Sequence, residues 1–192
     1  MLLAIFDYIL SKLIFVYIKS TGKISLGKKV LFKRMPLIRI VKSGKIEIGD
    51  GTTINSLNRG YHINMFGKCK LYADKPNAEV IIGKNTRIHG TCVHAFNSIK
   101  IGNNCLIAAN THIIDGNGHH LSFDAPENRI NTFDDGNPIV IEDNVWIAAG
   151  CYILGGTTIG NGSIITAGSV VKGVIPAKCI YGGNPAKLVK QY

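Results

Sequence analysis

The sequence predicts an all-β fold: a parallel β-helix built from hexapeptide repeats, preceded by a short N-terminal α-helix. Three observations carry this prediction. Ile141, Ile147, Ile153, Ile159, Ile165 and Val171 are spaced by six residues without a break. Four positions after each of the first five stands a small residue: Val145, Cys151, Thr157, Ser163 and Ser169. The first eighteen residues are sequence of another kind, fifteen of them apolar and without that period.

A period of six has a packing cause. Each hexapeptide lays one short strand along a flat face, and three faces close a coil of about 18 residues. The aliphatic side chain points inward and stacks on its equivalents in neighbouring coils. The small residue sits near the corner, where a larger side chain would not fit. Gly and Asn supply the turns, as in Gly102-Asn103-Asn104 and Gly160-Asn161-Gly162. The register recurs upstream at Ile101, Ile107 and Ile113 with Cys105 and Thr111, at Ile82 and Ile88 with Thr86 and Cys92, and at Ile48 and Ile54 with Thr52.

The elements then follow in chain order. Residues 1–20 read as the helix: at about 100° per residue, Asp7, Ser11, Lys12 and Lys19 share one arc of roughly 140°, and the rest is apolar. Such a helix can pack within its own oligomer, lie in a membrane interface or span a bilayer. A span needs about 20 predominantly apolar residues, and Asp7 and Lys12 oppose it. A secretory signal fits poorly, because no basic residue precedes the apolar run and no A-x-A-like site follows. Residues 21–45 read as a basic lead-in and 46–187 as the β-helix domain. Within that domain, residues 56–79, with Tyr61, His62, Phe66, Cys69 and Tyr72, read as a degenerate coil with a small insertion. Residues 115–137, rich in Asp, Asn, Gly and His, read as a loop leaving a rigid scaffold, where function concentrates. Residues 188–192 read as a C-terminal tail.

Composition narrows the function. In 192 residues, 46% are hydrophobic and 18% charged, which excludes intrinsic disorder. The net charge of +10 is concentrated at one end. Residues 1–45 carry ten Lys/Arg against Asp7 alone, and residues 46–192 carry twelve against eleven acids. No nucleic-acid-coating surface is expected from that distribution. A basic run beside an apolar helix suits an anionic cytoplasmic leaflet instead. The five Cys are odd in number and include no C-x-x-C pair, so they read as thiols in a reducing cytosol, with Cys92, Cys105 and Cys151 at inward small positions.

The repeats resemble those of the hexapeptide-repeat acyltransferases, and most of all the maltose, galactoside and colanic-acid O-acetyltransferase subgroup. The matching segments are PIVIEDNVWIAAGCYILGGTTIGNGSIITAGSVV at 138–171, GGNPAK at 182–187, and IKIGNNCLIAANTHIID at 99–115 followed by GHH at 118–120. The resemblance implies a left-handed coil, a homotrimer with each site between two subunits, acetyl-CoA as cosubstrate, no metal, and a saccharide or lipid-linked saccharide as acceptor. It implies His119 as the general base, since imidazole can take a hydroxyl proton near neutral pH. His120 stands where the family often has Pro, so either histidine can be the base; His119 follows Gly118 as in the motif and is preferred. Asp115 is expected to orient the imidazole, to contact the acceptor, or merely to end a coil. Arg129 is expected to help close the site. Ala149 and Ala167 should line the pantetheine arm through backbone groups, Trp146 should point outward toward pantetheine or acceptor, and Lys172, Lys187 and Lys190 should meet the CoA phosphates.

Two other readings use the same fold. A zinc enzyme like the γ-type carbonic anhydrases would draw on His62, His89, His94 and His112, which complete no clear three-histidine motif. A non-catalytic scaffold would need none of these residues. Sugar-nucleotide and serine N-acyltransferases are a further comparison, and their appended domains have no counterpart in the 45 residues ahead of the repeats. The expected setting is cytoplasmic, with residues 1–45 at the inner leaflet.

Overall fold

The computed structural model describes the backbone of residues 2–192 and the side chains from Ile5 onward. It is a left-handed parallel β-helix whose strands form three sheets, one per face of a triangular prism. The first face runs from the Ile24–Leu26 strand to Val174–Ile175, the second from Leu31–Lys33 to Ala186–Gln191, and the third from Leu37–Ile40 to Val170–Val171. Strands stack in parallel and in register: Ile99 pairs with Ile139 and Ile101 with Ile141, and Ile107 pairs with Ile147.

The inward column is what the hexad requires. Ile147, Ile153, Ile159, Ile165 and Val171 are fully buried, as are Cys151, Thr157, Ser163 and Ser169. Each buried aliphatic contributes about 1.5–3 kcal/mol of transfer free energy. Corners turn through left-handed residues, and Asn85, Asn104 and Asn144 (φ 54, 55 and 60) stack in successive coils. Asn tolerates that region better than most residues, and here the side chains also bond each other, Asn104 Nδ2 donating to Asn144 Oδ1 at 3.2 Å.

Three expectations need correction. The lead-in 21–45 is a complete coil: its strands pair in register with the next, Ile24 with Ile46 and Phe32 with Ile54. The β-helix therefore starts near residue 24, not 46. Its basic residues sit on the outside, and Lys29 and Arg34 occupy left-handed corners (φ 58 and 69). The tail is a strand: Ala186–Gln191 pairs antiparallel with Cys179–Gly183 and closes the last coil. Cys92 does not point inward, because the step from Ile88 to the next inward residue, Val93, is five residues rather than six. Thr91 takes the buried place. Cys69, Cys105, Cys151 and Cys179 are the buried thiols.

The helix α1 (Leu2–Ser20) lies across the first coil with its polar arc turned partly inward. Ser11 is buried and its Oγ accepts the Phe32 N–H at 3.1 Å. Asp7 is held by Arg59 at 2.5 Å. Ile14 and Ile18 face the coil, whereas Ile5, Ile9, Leu13 and Val16 are more than half exposed. Among the described residues, no helix is long and apolar enough to cross a membrane.

Candidate active site

The loop at 116–138 leaves the corner between the third and first faces, after the His112–Ile114 strand and before Ile139–Ile141. Two carboxylates fix its base. Asp115 is buried and accepts the Phe96 and Asn97 N–H groups at 2.7 and 2.8 Å. Burial pushes its carboxyl above the usual range, against those amides. Asp134 accepts from Asn117 and Gly136 at 2.8 and 2.6 Å. Lys75 closes the base from the neighbouring coil through Asp135 Oδ1 at 2.9 Å and the Asp134 carbonyl. The neck is closed by the Asn137 N–H donating to Asp115 O at 2.7 Å.

His119 is exposed in this loop, 3.0 Å from the Thr132 carbonyl through Nδ1. A carbonyl oxygen only accepts, so Nδ1 carries the proton and Nε2 holds a free lone pair. Phe133 lies nearly parallel to the ring, with centroids 6.4 Å apart. The His120 backbone N–H donates to Thr132 Oγ1 at 3.1 Å. The imidazole is thus oriented by Thr132, whose position carries no motif. Asp115, with both oxygens on backbone amides, ends its coil. Arg129 sits on the short 3₁₀ segment Pro126–Asn131 and folds back into its own loop: Nε donates to Leu121 O at 2.6 Å and the guanidinium lies over Phe123.

Trp146, Ala149 and Ala167 do come together. Trp146 projects outward from the second face, 49% exposed, and the three line one groove of about 510 Å³ with Ala148. The Ala149 carbonyl is taken by the Gly168 N–H at 2.9 Å, which stacks these corners in consecutive coils. The lysines separate. Lys187 and Lys190 lie on the closing strand of the second face, with Lys190 over the Tyr192 ring. Lys172 stands at the corner between the Val170–Val171 and Val174–Ile175 strands, the same corner that emits the His119 loop. Ala149 and Ala167 turn the corner between the second and third faces. One chain therefore carries the histidine and the alanine wall on different corners.

Several groove residues carry no repeat signal. Tyr61, His62 and His89 line it from the irregular segment and the adjacent coil. Their concentration of rings within 61–94 was the one cue. Among the described residues, no group of three His, Cys, Asp or Glu could hold a metal.

Known proteins match along the same segments. The family model for bacterial transferase hexapeptides (six repeats) matches residues 138–173, and that for the hexapeptide repeat of succinyl-transferase matches 79–114. A protein of Escherichia coli K12 named as a lipopolysaccharide biosynthesis O-acetyl transferase, WbbJ, is 30% identical over 85% of this chain and 83% of its own. This chain belongs to the hexapeptide-repeat acyltransferases. A Saccharomyces cerevisiae protein named as an acetyltransferase is also 30% identical, over 81% of this chain and 83% of its own. Among solved structures, a hexapeptide-repeat acetyltransferase of Vibrio cholerae, complexed with acetyl coenzyme A, aligns with a TM-score of 0.53 at 25% identity, over 91% of this chain and 75% of that one. The N-acyltransferase AntD of Bacillus cereus, solved with dTDP and 3-hydroxybutyryl-CoA, shares the fold at a TM-score of 0.66 and 21% identity, over 91% and 86% of the two chains.

Proposed function

We propose that this protein transfers the acetyl group of acetyl-CoA to a saccharide hydroxyl in surface-polysaccharide biosynthesis, with His119 as general base. The observation that carries the reading is the Nδ1 contact of His119 with Thr132 O, which leaves Nε2 as the acceptor of a proton. His119 Nε2 takes the hydroxyl proton as the sugar oxygen bonds to the thioester carbon. The C–S bond then breaks, and the imidazolium returns the proton to the departing sulfur. The fit of the cosubstrate rests on the small-residue wall at Ala148, Ala149 and Ala167 beside Trp146, which leaves room for a pantetheine arm. Lys172, Lys187 and Lys190, all exposed, are assigned to the CoA phosphates. Asp115 acts by holding the loop, and Arg129 by shaping it.

The separation of histidine and alanine wall onto different corners supports a homotrimer in which one subunit's His119 faces another's wall. The protein is placed in the cytoplasm, with α1 and the basic first coil against the inner leaflet. Thiol release from acetyl-CoA, followed over soluble and lipid-linked saccharides, tests the reading. His119→Ala should lower the rate by about 10²–10⁴-fold and His120→Ala far less. Undiminished transfer by the His119 variant, or stoichiometric zinc with no acetyl-CoA binding, would overturn it.

A further inference from the structure

The His119 loop stands on one aromatic ring. Phe96 turns the corner between the third and first faces in the coil just before the loop, after the Cys92–Ala95 strand and ahead of Ser98–Ile101. Both legs of the loop meet it. A Cβ built on Gly116, in the outgoing leg, would lie 2.5 Å from Phe96 Cδ2 and 2.8 Å from Asp134 Oδ1. One built on Gly136, in the returning leg, would lie 3.0 Å from Phe96 Cβ. Each leg is glycine where it meets Phe96, so the two backbones rest directly on that residue. The Phe96 N–H is tied to the same base through Asp115 Oδ1 at 2.7 Å.

The ring is held in turn by side chains running along the third face. His94 stacks on it, with centroids 4.7 Å apart and planes 25° apart. His94 Nε2 lies 3.0 Å from Asp74 Oδ2. A carboxylate oxygen accepts, so Nε2 carries the proton. Asp74, with its side chain 15% exposed, pairs through its other oxygen with Arg39 Nε at 2.7 Å. Tyr72 meets the imidazole edge-on at 5.5 Å. Strand register sets Arg39, Tyr72 and His94 in one row across the first three coils. The row meets the loop at its base through Phe96.

The base controls the gap between the legs. His119 stands three residues beyond Gly116, and Thr132 stands four residues before Gly136. The contact of 3.0 Å from His119 Nδ1 to Thr132 O spans that gap. A shift of roughly 0.6 Å breaks it and frees the imidazole to exchange tautomers.

We propose that His94 and Phe96 are positioning residues for acyl transfer. His94, held by Asp74, fixes the Phe96 ring, and the ring sets the two legs so that Thr132 O keeps the proton of His119 on Nδ1. The effect on rate rests on the reading of His119 as general base, whereas the effect on the tautomer does not.

Side-chain nitrogen NMR spectra of the full chain, taken at about pH 8 where imidazoles are ordinarily neutral, test it. The His119 signals are assigned with His119→Ala. The wild type should show the Nδ1–H form, and Phe96→Ala and His94→Ala should each show both tautomers. Phe96→Tyr keeps the ring and His94→Gln keeps a donor to Asp74, so both should restore the wild-type form. Turnover should follow: kcat falls by roughly tenfold to 10²-fold in the alanine variants, with KM for acetyl-CoA unchanged, and recovers in the conservative ones. His94→Ala, on the outside of the coil, carries the same test where Phe96→Ala does not fold. An unchanged His119 tautomer in the alanine variants, or a loss of kcat that Phe96→Tyr and His94→Gln fail to recover, overturns the inference. A tautomer that shifts as stated while His119→Ala keeps full transfer supports the positioning and refutes the general-base reading alone.

Discussion

Gly155 sits under the neck of the His119 loop, and replacing it tests whether that loop must be held in place. A Cβ built there lies 2.9 Å from the Asp115 carbonyl carbon, nearer still to its oxygen, and 3.3 Å from Asn137 O. These are backbone atoms, so no rotamer change relieves the clash. Restoring ordinary contact moves the neck by roughly 1 Å. Overpacking of this kind costs about 1–3 kcal/mol, and a displacement of that size costs on the order of 10²-fold in rate. Gly156 is the control. It has φ +82, and its Cβ would meet only Asn137 Cβ at 3.9 Å. Alanine there costs about 1–2 kcal/mol of left-handed strain without pushing the loop. For a chain of this length each kcal/mol lowers Tm by about 2–4 °C. Thermal scans at fixed protomer concentration should find the two variants similarly weakened. Only Gly155→Ala should lose acetyl transfer, with CoA affinity retained in both. Full activity in Gly155→Ala, or equal loss in Gly156→Ala, would refute the idea that the neck positions His119.

Asp115→Asn should destabilise by about 1–3 kcal/mol, because one amide then faces an NH₂ group. A raised KM for the acceptor with Tm unchanged would instead make Asp115 an acceptor contact. Burial lowers the folded pKa of His89 to about 4, so between that value and the ordinary 6.5 the unfolded chain binds more protons. Stability should therefore fall as pH drops through this window, on the order of 1–2 kcal/mol after discounting for partial solvent contact. Urea midpoints at pH 7 and 4.5 would detect it, and His89→Gln should flatten the difference. Ile9→Glu with Leu13→Glu, on the outward face of α1, should abolish sedimentation with anionic liposomes at low salt and leave Tm unchanged. Equal sedimentation would return that face to contact between copies.

The later coils were legible because 141–171 repeats without insertion, and every hexad must deliver an aliphatic and a small residue to the same inward places. The first coil keeps the spacing too, at Leu26, Phe32 and Ile38. Its corners, however, carry Lys29 and Arg34 in left-handed conformations where Asn or Gly would have signalled a turn. A five-residue step hid Thr91 behind Cys92, whereas the insertion at 57–68 was legible as an interruption of the coil that Leu71 and Ala73 continue. At the site, Trp146, Ala149 and Ala167 are placed by the repeat, whereas His119 was legible only through the GHH motif of the loop that leaves it. Thr132 was not legible, since it acts through a backbone carbonyl that any residue supplies. Tyr61 and His89 meet only because a clamp from one coil folds onto another. The fate of α1 depended on which way its polar arc turned, and that is decided by the Phe32 N–H it satisfies.

That Ser11–Phe32 hydrogen bond bears on how α1 should be probed. A stack of parallel coils has two raw ends, each a row of unpaired amides ready to accept another strand. The far end is closed by the returning Ala186–Gln191 strand, and the near end is covered by α1. Truncating residues 1–20 would uncover one end and invite copies to join end to end. Such filaments would sediment with no lipid present, so glutamates on the outer face of an intact helix are the cleaner measure of membrane affinity.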